Sequence, residues 1–267
     1  MMAAEKSKEE APGLLGIIGG TSLLQSSYFA ALERRTIATD HGEAVLHFGK
    51  GFVFVQRHHA DPSDEYRPPH LINFCAVVSA LHKVGVQRVI SFGSVGSLHQ
   101  DLQVGTLVLA DDFFSAFNPQ LSLYTDARSH VVPTIDADLR QTILSLLTKD
   151  AHSLQLRFLR EEGTYVQTQG PRFETKAEIK VLAGYGHVVG MTAAHEVALC
   201  CELGIPIALL TMVDNYANGV ATVPLTVQQF KEGVLANQKT VEAVLGCLLA
   251  HFAPAAIAAA SSSSSSE

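Results

Sequence analysis

The chain has 267 residues, 47% of them hydrophobic and 17% charged, and a net charge of −7. That is ordinary globular composition, and at this length folding removes about three quarters of the unfolded surface from water. The acidic balance excludes a binder of duplex DNA or other polyanions, which needs clustered Lys and Arg. It leaves room for a small anion held by one Arg and a few amides.

Cys75, Cys200, Cys201 and Cys247 form no CxxC pair, and no His cluster stands at metal spacing, so no metal site is expected. Their flanks are apolar, which suits small buried hydrophobes in a reducing compartment. Residues 1–13 are polar and lack the apolar stretch of a secretory signal, and they are expected to be disordered. Residues 254–267, an alanine-rich stretch followed by six serines and a glutamate, are expected to form a low-complexity tail. No apolar run reaches the ~18 residues of a membrane span. The expectation is a cytoplasmic protein with one folded domain over 14–253 and no membrane or nucleic-acid partner.

In chain order, residues 14–18 form a short apolar run ending in Gly19-Gly20. Residues 45–56 carry two strand-like pieces around Gly49-Lys50-Gly51, and 71–84 have helical spacing. Residues 88–92 and 106–110 are β-rich. Residues 136–147 read as a helix with Asp136 as N-cap. A strand is expected at 165–168. Thr175 and Glu178 form a capping-box pattern that opens a helix through Leu182. A short strand at 188–191 precedes a helix over 193–203 that stops at Gly204. Residues 205–213 are continuously apolar, fitting a strand buried on both faces. Val227–Phe252 is a long amphipathic helix. Strands alternating with helices imply an α/β fold, a single domain with a mixed central β-sheet flanked by helices. In such sheets ligands bind beyond the carboxyl ends of strands.

Six segments stand at such ends or at helix starts. Gly19-Gly20-Thr21-Ser22 suits close approach of a phosphate or carboxylate, and equally a tight structural turn. Arg57-His58-His59 can grip phosphate oxygens or be a solvated charged loop. In 93–97 (Gly-Ser-Val-Gly-Ser), small residues leave space and expose amides, or simply turn the chain. In 169–175, Phe173 can stack on a planar ring and Glu174 can accept N–H bonds from a base edge, or favour the helix dipole that follows. Thr192 stands at a helix start, where free amides favour an anion, or is a plain N-cap. Glu196 can hold a sugar hydroxyl or complement that dipole. Asp214-Asn215-Tyr216-Ala217-Asn218-Gly219 puts a carboxylate and two amides at the end of a buried run, which packing alone rarely requires. The nucleotide fingerprints GxGxxG and GxxxxGKS are absent, which counts against a dinucleotide-linked oxidoreductase.

Through GIIGGTS, VQRHH with RPPHLINF, ISFGSVGSL, TQGPRFET, VVGMTAAHEVALCCELGIP and LLTMVDNYANG, the sequence resembles the nucleoside phosphorylase superfamily, in its trimeric purine nucleoside and methylthioadenosine branch. The similarity runs from about Gly16 to Phe252, with a short insertion at 60–66. It implies that Thr21, Arg57, His58, Ser94 and Thr192 bind phosphate, that Met191 lies against the ribose, and that Phe173 packs on the purine. Glu174 and Asn215 would read the base. It further implies a homotrimer with sites near subunit interfaces, residues near His130 reaching a neighbour, and no cofactor, inorganic phosphate being a co-substrate. Departures from the family pattern fall at Gly93, Val77 and His195.

The chemistry such a resemblance implies is attack of phosphate on C1′ as the glycosidic bond breaks, with Asn215 donating to the purine N7. Asn215 with Glu174 suits 6-oxopurines such as inosine, guanosine or methylthioinosine. The 6-amino branch typically has Asp at this position, and Asp214 is one residue away. Val227, where inosine-type members generally carry His, points to a 5′-methylthio group. The alternatives are a methylthioadenosine phosphorylase, a nucleosidase using water, or a nucleoside-binding paralogue of weak activity.

Overall fold

Four apolar runs become the parallel centre of one sheet. The computed structural model describes residues 13–24 and 26–254. The N-terminal segment expected to be disordered and the low-complexity tail lie outside the described residues, apart from Gly13 and Pro254. In chain order the elements are β1 (Leu15–Gly19), β2 (Glu33–Thr39), β3 (Gly42–Gly49), β4 (Phe52–Gln56), α1 (Phe74–Lys83), β5 (Arg88–Ser97), β6 (Thr106–Ala110) and β7 (Asp112–Phe114). There follow α2 (Ala137–Lys149), β8 (Phe158–Arg160), β9 (Thr164–Gln167), α3 (Lys176–Leu182), β10 (Val188–Gly190), α4 (Ala193–Glu202), β11 (Ile207–Tyr216) and α5 (Val227–Phe252).

β1 pairs in parallel with β4 and β5, and β5 in parallel with β11. β2 and β3 extend one side antiparallel, and β6 pairs antiparallel with β11. The far end of β5 turns to a different neighbour, pairing antiparallel with β10, which leads to β9 and β7. The sheet is therefore mixed, and β5 is its branch point. Strands β1, β4 and β11 are buried on both faces, which is why they read as unbroken apolar runs. One face packs under α1 and α4 through Val78, Leu81, Val197 and Leu199. The other packs under α2 and α5 through Ile143, Leu147, Val244 and Leu248. Each such fully buried aliphatic contributes roughly 1.5–3 kcal/mol.

The helix starts follow their sequence signals. Asp136 accepts from Leu139 N at 2.8 Å, and Thr175 and Glu178 cap each other reciprocally. Thr226 and Gln229 form a second capping box that opens α5. Each cap is worth about 1 kcal/mol.

Two expected strand ends are displaced. Residues 93–97 do not leave the sheet. They continue β5, because β11 and then β10 supply hydrogen-bonding partners along both edges. Residues 214–216 likewise belong to β11, which carries a bulge between Val213 and Asn215. Asp214 is the extra residue, so the side chains on either side of it are re-aimed. Strands β2, β7 and β8 had no forecast. β2 is an edge strand with a mostly exposed, charged sequence, so no apolar alternation announces it.

Helix α5 lies directly on the bulge. A Cβ at Gly233 would fall 1.8 Å from the Asp214 carbonyl oxygen, so only glycine allows the approach. In an open helix Gly→Ala would gain about 1 kcal/mol. Here Gly233→Ala is expected to cost roughly 1–3 kcal/mol through forced separation of helix and strand. Urea unfolding measures it, and an unchanged or higher midpoint would refute the close contact.

Candidate active site

The carboxyl ends of β1, β4, β5 and β11 converge with the start of α4 on one hollow. Its wall includes Thr21, Arg57, His58, Ser94, Phe173, Glu174, Met191, Thr192 and Asn215. Nine of the ten residues singled out from the sequence thus come together. The tenth, Val227, does not: it is 58% exposed at the start of α5, and Leu225 and Phe230 line the hollow instead. The capping box of α5 begins at Thr226, which turns the next residue outward and brings the following turn, with Phe230, over the site. His130 follows the short turn Ala127–Ser129 and is not among the residues of this wall.

Arg57 is the centre of the polar cluster and is 2% exposed, so it is no solvated loop residue. Its Nε stands 2.7 Å from Glu196 Oε1, a close ionic contact with the N–H out of line for a hydrogen bond. Nη2 donates to Glu196 Oε2 at 3.1 Å and to Ser91 Oγ at 2.9 Å, and Nη1 donates to Thr192 Oγ1 at 3.2 Å. Glu196 is fully buried and also accepts from Ser91 Oγ at 2.6 Å. It holds Arg57 and, fully buried, is not among the residues of the wall, so the sugar-binding reading falls, while its place in the first turn of α4 agrees with the dipole reading. A Cβ at Gly20 would stand 2.6 Å from Arg57 Nη1, so the glycine leaves the guanidinium its place.

The start of α4 differs from expectation. Tyr165 Oη accepts from Thr192 N at 3.1 Å and Ala193 N at 3.3 Å, and Gln167 Oε1 accepts from Ala194 N at 2.7 Å. The amides of Thr192, Ala193 and Ala194 are therefore already bonded. An anion here meets the Thr192 hydroxyl and Arg57 rather than free N–H groups. Thr192 is the N-cap residue, yet its side chain makes no capping bond and is left for the site.

His58 is held by its Nδ1 contact with the Arg67 carbonyl at 2.9 Å and by stacking on Tyr66 at 5.1 Å. Burial pushes its pKa down to about 4, so the ring is neutral at physiological pH. Phe173 meets Phe230 edge-on at 5.6 Å. Glu174 accepts from the Thr168 hydroxyl, and its carbonyl accepts from Asn218 Nδ2 at 3.0 Å. Asn215 lines the hollow and donates to the Tyr216 carbonyl at 2.8 Å. Asp214 is 2% exposed and turned toward α5, where Asn237 Nδ2 donates to it at 2.8 Å. The bulge thus presents an amide, not a carboxylate, to the hollow.

Past Thr21, Tyr66 and Phe230 the hollow continues into a groove of about 510 Å³ along α5. A larger hollow of about 590 Å³ lies on the other side of Glu174, but its one cation, Arg172, is paired with Glu178. Sequence reasoning missed Ser91, Tyr165 and Gln167. Ser91 carries a faint signal, the one hydroxyl inside the β-rich run 88–92. Tyr165 and Gln167 carry none, because their partners are distant in the chain. Val77 is a packing residue of α1, and His195 packs on Phe74. Among the described residues no three His, Cys, Asp or Glu side chains gather as a metal site, and no helix is long and apolar enough to cross a membrane.

A family model described as the phosphorylase superfamily matches residues 15–250. The chain belongs to that superfamily. Within it, the chain is 33% identical over 230 residues to a probable 6-oxopurine nucleoside phosphorylase of Archaeoglobus fulgidus, covering 85% of this chain and 91% of that protein. It is 35% identical over 227 residues to a probable S-methyl-5′-thioinosine phosphorylase of Methanocaldococcus jannaschii, covering 83% and 86%. Among solved structures, a mutant adenosine/methylthioadenosine phosphorylase from Schistosoma mansoni in complex with tubercidin superposes with a TM-score of 0.73 at 22% identity, covering 89% of this chain and 91% of that one. That likeness extends to the mixed sheet and its flanking helices.

Two outcomes follow from the polar cluster. Glu196→Ala strands a buried guanidinium and is expected to cost about 3–5 kcal/mol in chemical unfolding; a loss below about 1 kcal/mol would show that Arg57 finds another partner. For His58, the unfolded ring titrates near 6.5 and the folded ring at about 4. The unfolded chain therefore takes up a proton that the folded chain refuses, and stability falls as pH drops from about 6.5 toward 4, by on the order of 3 kcal/mol. Unfolding across this window, compared with His58→Gln, isolates the contribution, and an NMR midpoint for His58 above 6 would overturn it.

Proposed function

We propose that the protein is a purine nucleoside phosphorylase, cleaving the N-glycosidic bond with inorganic phosphate to give free base and a ribose 1-phosphate. Thr21, Arg57, His58, Ser94 and Thr192 hold phosphate, Met191 backs the ribose, Phe173 packs on the purine, and Glu174 and Asn215 read its edge. Arg57, locked by Glu196, positions the nucleophile and so lowers the entropic barrier. As the bond breaks, charge flows into the purine, and an Asn215 N–H at N7 stabilises it by roughly 3–4 kcal/mol. No cofactor is required, phosphate being the second substrate.

The observation that carries the substrate class is the bulge, which turns Asn215 into the site and Asp214 out of it. Glu174 then accepts from N1–H, and Asn215 Nδ2, on leaving the Tyr216 carbonyl, donates one N–H to N7 and the other to O6, a set that fits 6-oxopurine nucleosides. Relatives named for 6-oxopurine nucleosides and for methylthioinosine support the same choice. With Val227 outside the hollow, the 5′ end meets Leu225 and Phe230, and these apolar walls favour a 5′-methylthio group beside a 5′-hydroxyl. Methylthioadenosine is the second reading, favoured by a 28%-identical relative from Thermofilum pendens named for it. The protein works in the cytoplasm as a homotrimer; Phe117 and Val132, 64% and 87% exposed, are surfaces such an assembly would cover.

Phosphorolysis of inosine, adenosine, methylthioinosine and methylthioadenosine, each with and without phosphate, tests the assignment. The 6-oxo pair is expected to react faster and only with phosphate; preference for the 6-amino pair would defeat the base-reading argument, and turnover in water alone would make the protein a nucleosidase. Asn215→Ala is expected to lower kcat/KM at least roughly tenfold with the fold retained.

A further inference from the structure

Asp214 is a buried carboxylate that the proposed reaction does not use. It is the extra residue of the β11 bulge, 2% exposed, and reaches two neighbours. Asn237 of α5 donates to its Oδ1 at 2.8 Å. On its other oxygen, Oδ2, it accepts a hydrogen bond from the hydroxyl of Ser94, which stands on the wall of the active-site hollow.

A serine hydroxyl has one proton and two lone pairs. When Asp214 is ionised, that proton is committed to it, and Ser94 can offer a ligand only lone pairs. A ligand oxygen beside Ser94 must then bring its own proton. Inorganic phosphate keeps at least one P–OH throughout the neutral range, whereas sulfate has none. Resting on the phosphorolysis reading, we propose that the Ser94–Asp214 pair reads the proton of the bound oxyanion, accepting phosphate and excluding sulfate, with Asp214 as a positioning residue behind Ser94.

The Asn237 contact gives the pair its direction. An amide N–H at Oδ1 keeps that oxygen an acceptor, so a proton taken up by Asp214 belongs on Oδ2, facing Ser94. The hydroxyl would then accept from Asp214 and turn its own proton to the site, where sulfate could use it. Burial holds the Asp214 pKa up at about 6, which brings this reversal within reach of mild acid. The groups around the pair are few. Behind Asp214 lies a small hollow whose one other charged side chain is Glu232 of α5, and Gly233 covers the Asp214 backbone. On the site side, Arg57, His58 and Glu174 share the wall with Ser94. His58 stays neutral down to about pH 4 and does not titrate in the same window.

The test is sulfate inhibition competitive with phosphate, expressed as the ratio of sulfate Ki to phosphate KM. In Asp214→Asn, the oxygen of the new amide stays with Asn237 and its nitrogen donates to Ser94, freeing the serine proton. The ratio is expected to fall at least about tenfold relative to wild type near pH 7.5, equivalent to about 1.4 kcal/mol of lost discrimination. An unchanged ratio overturns the proposal. So does a change confined to the nucleoside KM, which would put the Ser94 hydroxyl on the sugar. The wild-type enzyme gives a check without any variant: with the phosphate KM expressed as dianion concentration, the ratio should be flat above neutral pH and fall as pH drops through about 6. A ratio that stays flat overturns the proposal even if the variant does not fold. If no nucleoside is cleaved, the functional reading fails by itself, and calorimetric titration with phosphate and with sulfate still compares the two anions.

Discussion

The buried ion pair between Arg57 and Glu196 is the constraint around which the site is arranged. It joins residues 139 apart in the chain and ties the end of β4 to α4, with Ser91 of β5 bonded to both partners. Such a pair contributes little net stability, since taking two charges out of water costs about what their attraction returns. Its worth is positional. With both Glu196 oxygens and Ser91 engaged, the guanidinium has one orientation, and the remaining edge reaches the Thr192 hydroxyl. Gly20, Gln56 and the short turn at Arg57–His59 serve the same placement from the β1 side, Gln56 Nε2 donating to the Gly20 carbonyl at 3.1 Å.

A second constraint is the single extra residue in β11. Without it, alternation along the strand would swap the faces of Asp214 and Asn215. The bulge is secured from outside by α5, whose Gly233 rests on the Asp214 carbonyl and whose Asn237 bonds both the Val213 carbonyl and the Asp214 carboxylate. The amide that faces the hollow therefore depends on a helix whose other face belongs to the hydrophobic core. Packing, strand register and site chemistry meet in one short stretch.

How much of this is legible in the sequence depends on what carries each feature. The buried parallel strands and the capped helices are local, and periodicity, capping residues and Gly204 announce them. Nine of the ten singled-out site residues share one wall because strand ends and helix starts can be read, and because the ordered motifs resemble a known family. What the sequence hides is pairing at a distance. Glu196 looks like a helix residue until Arg57 is placed beside it. Tyr165 looks like a strand residue until its hydroxyl is seen under the first amides of α4. Residues 93–97 look like a turn, because nothing local says that β11 and β10 will hold them extended. Val227 looks like a wall of the pocket, since an α-helix start one residue either way decides which side chain faces in.

The occupied amides at the start of α4 bear on how charge is distributed during the reaction proposed above. Had that helix end been open and Arg57 unpaired, phosphate would sit in a strongly positive shell. Instead Tyr165 and Gln167 take up the amides, and Glu196 offsets the guanidinium. The one cation of the wall, Arg57, is thus offset by Glu196, and a phosphate bound as proposed meets no strongly positive shell. A cationic shell would repel the positive charge that develops on the ribose as the glycosidic bond opens. Without one, the field of the phosphate is free to act on that cation, so the nucleophile itself becomes the main electrostatic support of the breaking sugar.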